Sequence, residues 1–159
     1  MTERYLLDTC VMFLLARGGE PGRVIDQRFG LSSSAERPLV SIVTHAELHV
    51  LALSNGWGMK KMSALAAALA NVVTVELLSG PIPEAYVEMA LASRRHRPGA
   101  RVMTDNDLWI AATAKVARAT LLTTDKDFMH LSPKHCRVVV IDPKALRKNN
   151  DAPISRALR

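Results

Sequence analysis

The sequence predicts an α/β fold: a three-layer α/β/α sandwich around a mainly parallel sheet. Two patterns carry that expectation. Short apolar runs alternate with longer stretches of helical composition, which is the order of a parallel sheet with crossover helices. Acidic residues then fall at or just beyond the ends of those runs, where such sheets gather their chemistry.

The elements follow in order. Tyr5-Leu6-Leu7 is a buried strand ending at Asp8. Thr9 is placed to cap a helix over Val11–Arg17, stopped by Gly18-Gly19. Asp26–Phe29 has helical composition, and the Ser-rich stretch from Gly30 to Pro38 reads as a loop. Leu39–Val43 is apolar and partly β-branched, a second strand. Thr44–Ser54 and the Ala-rich Met59–Ala70 are helices, followed by a strand over Val72–Val75. Pro83 opens a helix that runs to about His96, and Pro98-Gly99 breaks it. Asn106–Arg118 is a helix, Thr120–Thr123 a strand, Asp125–His130 a helical turn and Val138–Ile141 the last strand. Residues 1–142 form the expected domain. Residues 143–159, with two prolines and few large apolar side chains, read as a basic appended tail and a candidate for disorder.

Composition narrows the function. The chain has 159 residues, 48% of them apolar, enough for a real core. Aromatics at 4% argue against base-stacking platforms. The net charge of +6 is uneven: the tail carries five basic residues against Asp151, so residues 1–142 hold 16 basic and 14 acidic side chains, a net of only +2. Cys10 and Cys136 are too few for a disulfide framework or a four-cysteine zinc site. With no signal-like start and no apolar stretch near bilayer length, the expectation is a cytoplasmic protein with no membrane association.

The acids carry the chemistry. Asp8 closes the first strand, Glu47 lies early in the helix after the second, and Asp105 and Asp107 open the helix after Pro98. Asp125 closes the Thr120–Thr123 strand, with Asp127 two residues on. All can meet at one sheet edge, where carboxylates repel unless a cation lies among them. Mg²⁺ or Mn²⁺ suits all-oxygen ligands and can acidify water and neutralise charge on a phosphoryl group. Each acid also has a structural reading. Thr44-His45-Ala46-Glu47 is a possible capping box, Asp105 or Asn106 an N-cap, Asp107 a partner for the helix dipole, and Asp125 a cap for the turn before Phe128. Asp8 is the hardest to explain this way.

Four blocks resemble one known family: Leu6-Leu7-Asp8-Thr9, Val43-Thr44-His45-Ala46-Glu47-Leu48, Asp107-Leu108-Trp109-Ile110-Ala111-Ala112-Thr113-Ala114 and Leu122-Thr123-Thr124-Asp125-Lys126-Asp127-Phe128. Over about residues 4–142 the chain resembles PIN-domain ribonucleases of the VapC toxin type. That resemblance implies a Mg²⁺- or Mn²⁺-dependent endoribonuclease with an antitoxin partner, frequently a homodimer. It maps Asp8, Glu47, Asp107 and Asp125 onto the family's acidic quartet, with Asp8 and Asp107 as central metal ligands. Thr123 would hold a water or phosphate, and Asp105 and Asp127 would be accessory acids. The implied reaction is metal-assisted hydrolysis of an RNA phosphodiester, with water attacking in line.

Other features are read beside this. Arg94, Arg95, Arg97 and Arg101 form either a solvated helix end or a phosphate-gripping rim, to which Lys126 and Arg118 could add. His45 and His49 sit two residues either side of Glu47, on other helix faces, and read as packing or surface residues. Cys10 reads as a small buried side chain, Trp57 as a plug or partner contact, and Met62, Leu65 and Leu69 as core or a docking face. Two other functions compete with the nuclease. One is a phosphotransferase using Asp8, which lacks the second acid two positions on. The other is a non-catalytic RNA- or protein-binding module. Setting aside Asp8, Glu47, Asp107 and Asp125, the body holds 16 basic and 10 acidic side chains, a basic surface around an acidic hole.

Overall fold

The structure is a computed structural model that describes residues 3–78, 80–96 and 103–147. A parallel sheet of five strands runs in the order β3-β2-β1-β4-β5. The strands are β1 (Tyr5–Leu7), β2 (Leu39–Ser41), β3 (Val73–Val75), β4 (Thr120–Thr123) and β5 (Val138–Val140). The helices are α1 (Thr9–Arg17), α2 (Glu20–Phe29), α3 (Ile42–Ser54), α4 (Met59–Ala70), α5 (Ile82–Arg95) and α6 (Asp105–Val116). Two 3₁₀ segments, Lys126–Leu131 and Ala145–Arg147, flank β5.

The strands are short, and the central ones, β1, β2 and β4, are buried on both faces, so their successive side chains go to opposite layers. Leu6 of β1 and Leu121 of β4 join Ile82, Met89, Ile110 and Phe128 in one core under α5 and α6. Their neighbours Leu7 and Leu122 join Val11, Met12, Ile25 and Leu65 in a second core under α1, α2 and α4. Each fully buried Leu or Ile contributes about 2 kcal/mol of transfer energy, so this strict alternation holds the layers in register. The three-layer α/β/α sandwich is the fold the alternating pattern predicted.

Three local differences from the sequence reading have clear causes. Helix α3 starts at Ile42, inside the run expected to be strand, because the Ser41 hydroxyl accepts from Val43 N at 3.3 Å and caps it there. The expected Thr44–Glu47 capping box is therefore absent. Helix α2 begins at Glu20, six residues early. Its Gly22 permits close approach to α1, since a Cβ there would lie 2.6 Å from the Leu14 carbonyl oxygen. Past residue 142 the chain stays on the body as far as Leu146, which is buried in the second core while Ala145–Arg147 lies against α2. The rest of the basic tail, residues 148–159, lies outside the described residues.

The sheet order places a switch point between β1 and β4. From β1 the chain proceeds outward to β2 and β3, then returns to β4 on the other side. The carboxyl ends of β1 and β4 therefore flank the crevice where α/β folds bind ligands.

Candidate metal centre

Asp8 sits at that switch point. Its backbone N donates to Leu122 O at 2.9 Å, and its side chain caps α1 by accepting from Thr9 N at 2.7 Å. Asp8, and not Thr9, is thus the α1 cap. The carboxylate is 4% exposed. Burial pushes its pKa from 3.8 up to about 6, with the Asp107 and Glu47 carboxylates adding to the rise and bonds from Thr123 and Thr9 opposing it.

Thr123 is completely buried at the end of β4. Its hydroxyl donates to Asp8 Oδ2 at 2.7 Å and accepts from Asp125 N at 3.0 Å. The Thr123 hydroxyl thus ties Asp8 to Asp125. Asp125 in turn caps the Lys126–Leu131 segment by accepting from Asp127 N at 2.8 Å.

Helix α6 delivers Asp107. The cap is Thr104, not Asp105 or Asn106: its hydroxyl accepts from Asp107 N, while Asp107 Oδ2 accepts from Thr104 N at 3.2 Å and from Thr104 Oγ1 at 2.7 Å. Burial raises the Asp107 pKa, and Glu47 and Asp125 raise it further. Glu47 reaches the group from the second turn of α3. Thr9 Oγ1 donates to its Oε2, and Asn106 Nδ2 donates to its Oε1 at 2.8 Å. Thr9 and Asn106 were not singled out in the sequence as site residues. Thr104-x-x-Asp107 was a legible capping signal; the Thr9 and Asn106 clamps join residues 38 and 59 positions from Glu47 and left no local trace.

The structure thus brings Asp8, Glu47, Asp107 and Asp125 into one electrostatically coupled group. Among the described residues none of the four pairs with Lys, Arg or His; the ion pairs present join Arg4 to Glu36 and Glu88 to Lys115 and His135. Four hard oxygen donors without a protein cation suit Mg²⁺ or Mn²⁺. Their carboxylates are turned to protein partners, and among the described residues no three His, Cys, Asp or Glu side chains stand in ready-made ligating geometry.

The other predicted residues fall elsewhere. Asp105 is exposed and accepts from the Tyr86 hydroxyl at 2.9 Å, so it pins α6 to α5. Asp127 faces His130, whose Nδ1 donates to its carbonyl at 2.7 Å. Arg94 and Arg95 are exposed in the last turn of α5; Arg97 and Arg101 lie outside the described residues. Arg118, beyond the far end of α6 and before β4 begins, is at the opposite edge of the sheet from Asp125 and cannot join a rim there. Cys10 is exposed rather than buried. His45 and His49 stack on each other at 4.9 Å along α3, and Trp57 packs on Phe13 at 5.3 Å. Leu65 is core, with Met62 and Leu69 partly buried against it.

Comparison with solved structures finds the same fold in toxin–antitoxin complexes. VapBC2 of Rickettsia felis, bound to a promoter DNA fragment, superposes with a TM-score of 0.70 at 18% identity, covering 86% of this chain and 98% of that one. VapBC-1 of nontypeable Haemophilus influenzae gives 0.67 at 23% identity, covering 86% and 97%. DNA-bound VapBC of Salmonella typhimurium gives 0.67 at 19%, covering 87% and 98%. Comparison with curated proteins finds no match. The PIN domain family model matches residues 5–132, the span that carries β1 through the Lys126–Leu131 segment and with them all four coupled acids. With fold, acid placement and sequence match in agreement over that span, the chain belongs to the PIN-domain family.

Proposed function

We propose that this chain is a Mg²⁺- or Mn²⁺-dependent endoribonuclease and the toxin of a toxin–antitoxin pair, with a cognate antitoxin as partner and a homodimer as its assembly. The observation that carries the reading is the coupled group Asp8, Glu47, Asp107 and Asp125 at the β1/β4 switch point, left without any protein cation among the described residues. The similarity of the fold to toxins of VapBC complexes supports the partner.

In this reading Asp8 and Asp107 hold the metal, and Glu47 and Asp125 complete its surroundings. The bound metal supplies charge neutralisation at the phosphoryl group and acidifies water. The chain's own residues do the positioning. Thr123 fixes Asp8 relative to Asp125, and Thr9 with Asn106 fixes Glu47 against α1 and α6. Arg94 and Arg95 supply positive charge at the end of α5 for the RNA backbone.

Incubating the purified chain with structured RNA in Mn²⁺ or in EDTA tests the enzyme. Metal-dependent cleavage that disappears in Asp8→Asn and Asp107→Asn is expected. RNA that is bound but never cut under any divalent metal would leave the non-catalytic binding module. Controlled expression tests the toxin role: growth arrest should be relieved by co-expressing the neighbouring reading frame.

A further inference from the structure

Three of the five histidines play no part in the acidic site and yet gather in one place. His96 caps the end of α5, and its ring stacks on that of His130 at 4.6 Å. The two rings form the wall shared by two adjoining hollows of about 290 and 300 Å³. His135 lines the first hollow, held by Glu88 Oε1 at 2.7 Å from its Nδ1. His130 likewise spends its Nδ1–H on the Asp127 carbonyl. Its Nε2 is buried and has no hydrogen-bond partner among the described residues.

The charges around these rings favour an anion. Arg95 and Lys134 line the first hollow and Lys126 the second. The acids present are Glu88, already engaged by Lys115 and His135, and Asp127. The location favours a polynucleotide. The floor of the second hollow is the Lys126–Leu131 segment, which begins immediately after Asp125 of the acidic group. At about 2.0 Å of rise per residue, His130 lies roughly 10 Å along that segment from the acid.

We propose that this histidine-lined groove is an anion subsite that holds a backbone phosphate of the RNA strand, roughly 10 Å along from the bond to be cut. It rests on the nuclease reading and extends it to a contact away from the acids. Arg95 and Lys134 in the first hollow and Lys126 in the second pair with the phosphate charge, beside the exposed His96 ring that both hollows share.

Fluorescence anisotropy with a labelled eight-nucleotide single-stranded RNA in EDTA reads binding without cleavage. The variant His96→Gln/His130→Gln/Lys134→Gln should raise Kd about tenfold and lower the slope of log Kd against log salt by about 1–2. Circular dichroism checks its fold; should it fail to fold, the exposed pair His96→Gln/Lys134→Gln is expected to shift Kd in the same direction. The same loss is expected in an Asp8→Asn background. A folded variant with unchanged Kd and salt slope overturns the groove and leaves the nuclease reading intact. Groove-dependent binding by a chain that never cleaves with Mn²⁺ upholds the groove while removing the nuclease. Intact RNA binding with lost antitoxin binding would assign the surface to a protein and overturn the proposal.

Discussion

At the scale of single residues, Asp8 carries the clearest conflict between stability and function. Its carboxyl is nearly inaccessible and sits beside other acids, so its folded pKa of about 6 stands above the ordinary 3.8. The folded chain therefore keeps an extra proton between about pH 4 and 6, and stability falls as pH rises through that window. Above it the full penalty stands, about 3 kcal/mol. Asp8→Asn should thus raise the thermal midpoint of the metal-free chain at pH 7.5 and flatten its dependence on pH between 4 and 6, while reducing cleavage by at least about 100-fold. A lowered midpoint at pH 7.5 would contradict the burial argument. Thr123 opposes the same penalty by donating to the Asp8 carboxylate. Thr123→Val, of similar shape, should cost about 1–3 kcal/mol and raise the Asp8 pKa further. The pH profile of kcat should then move its acid limb upward, a change that a purely structural loss would not produce.

At the scale of elements, two backbone positions decide how the helices meet the sheet. The α1–α2 contact depends on Gly22, whose missing Cβ leaves room for the Leu14 carbonyl. Gly22→Ala must separate the helices, at about 1–3 kcal/mol. A drop of several degrees in thermal midpoint is expected by differential scanning fluorimetry, with metal-dependent cleavage per folded molecule retained, since neither helix face there carries an acid of the site. Arg118 turns the chain from α6 into β4 with φ of 51°, a left-handed conformation in which side chains are strained. The turn is closed by Arg118 N to Lys115 O and Ala119 N to Ala114 O, both at 3.0 Å. Arg118→Gly should stabilise the fold by about 0.5–1 kcal/mol. An unchanged or lowered midpoint would mean that the arginine side chain contributes more than its backbone strain costs.

At the scale of the whole molecule, the sheet order concentrates negative charge at one point of a basic protein. That separation predicts a response to metal that depends on pH. Mn²⁺ should raise the thermal midpoint at pH 7.5 by relieving carboxylate repulsion, and do so much less at pH 5, where Asp8 is protonated and the metal must displace that proton. Equal shifts at both pH values would place the ion outside the Asp8 group. Among the described residues no helix is long and apolar enough to cross a membrane.

How much was legible in the sequence follows from which forces are local. Strand runs, helix composition and the Gly and Pro stops are local, and they determined the α/β class, the element order and the candidate acids. Caps within one turn, such as Thr104 with Asp107, were legible in principle for the same reason. Ser41 displaced the strand–helix boundary because one hydroxyl bond outweighed the β-branched composition of Ile42-Val43. What only the tertiary structure decided are the interactions between distant segments: Thr123 on Asp8, Thr9 and Asn106 on Glu47, and the stacking of His96 on His130. Each joins residues that no helical or strand period relates. The physical reason is the parallel crossover, which returns every strand to the same edge and so brings Thr123 against Asp8, 115 positions away in the chain.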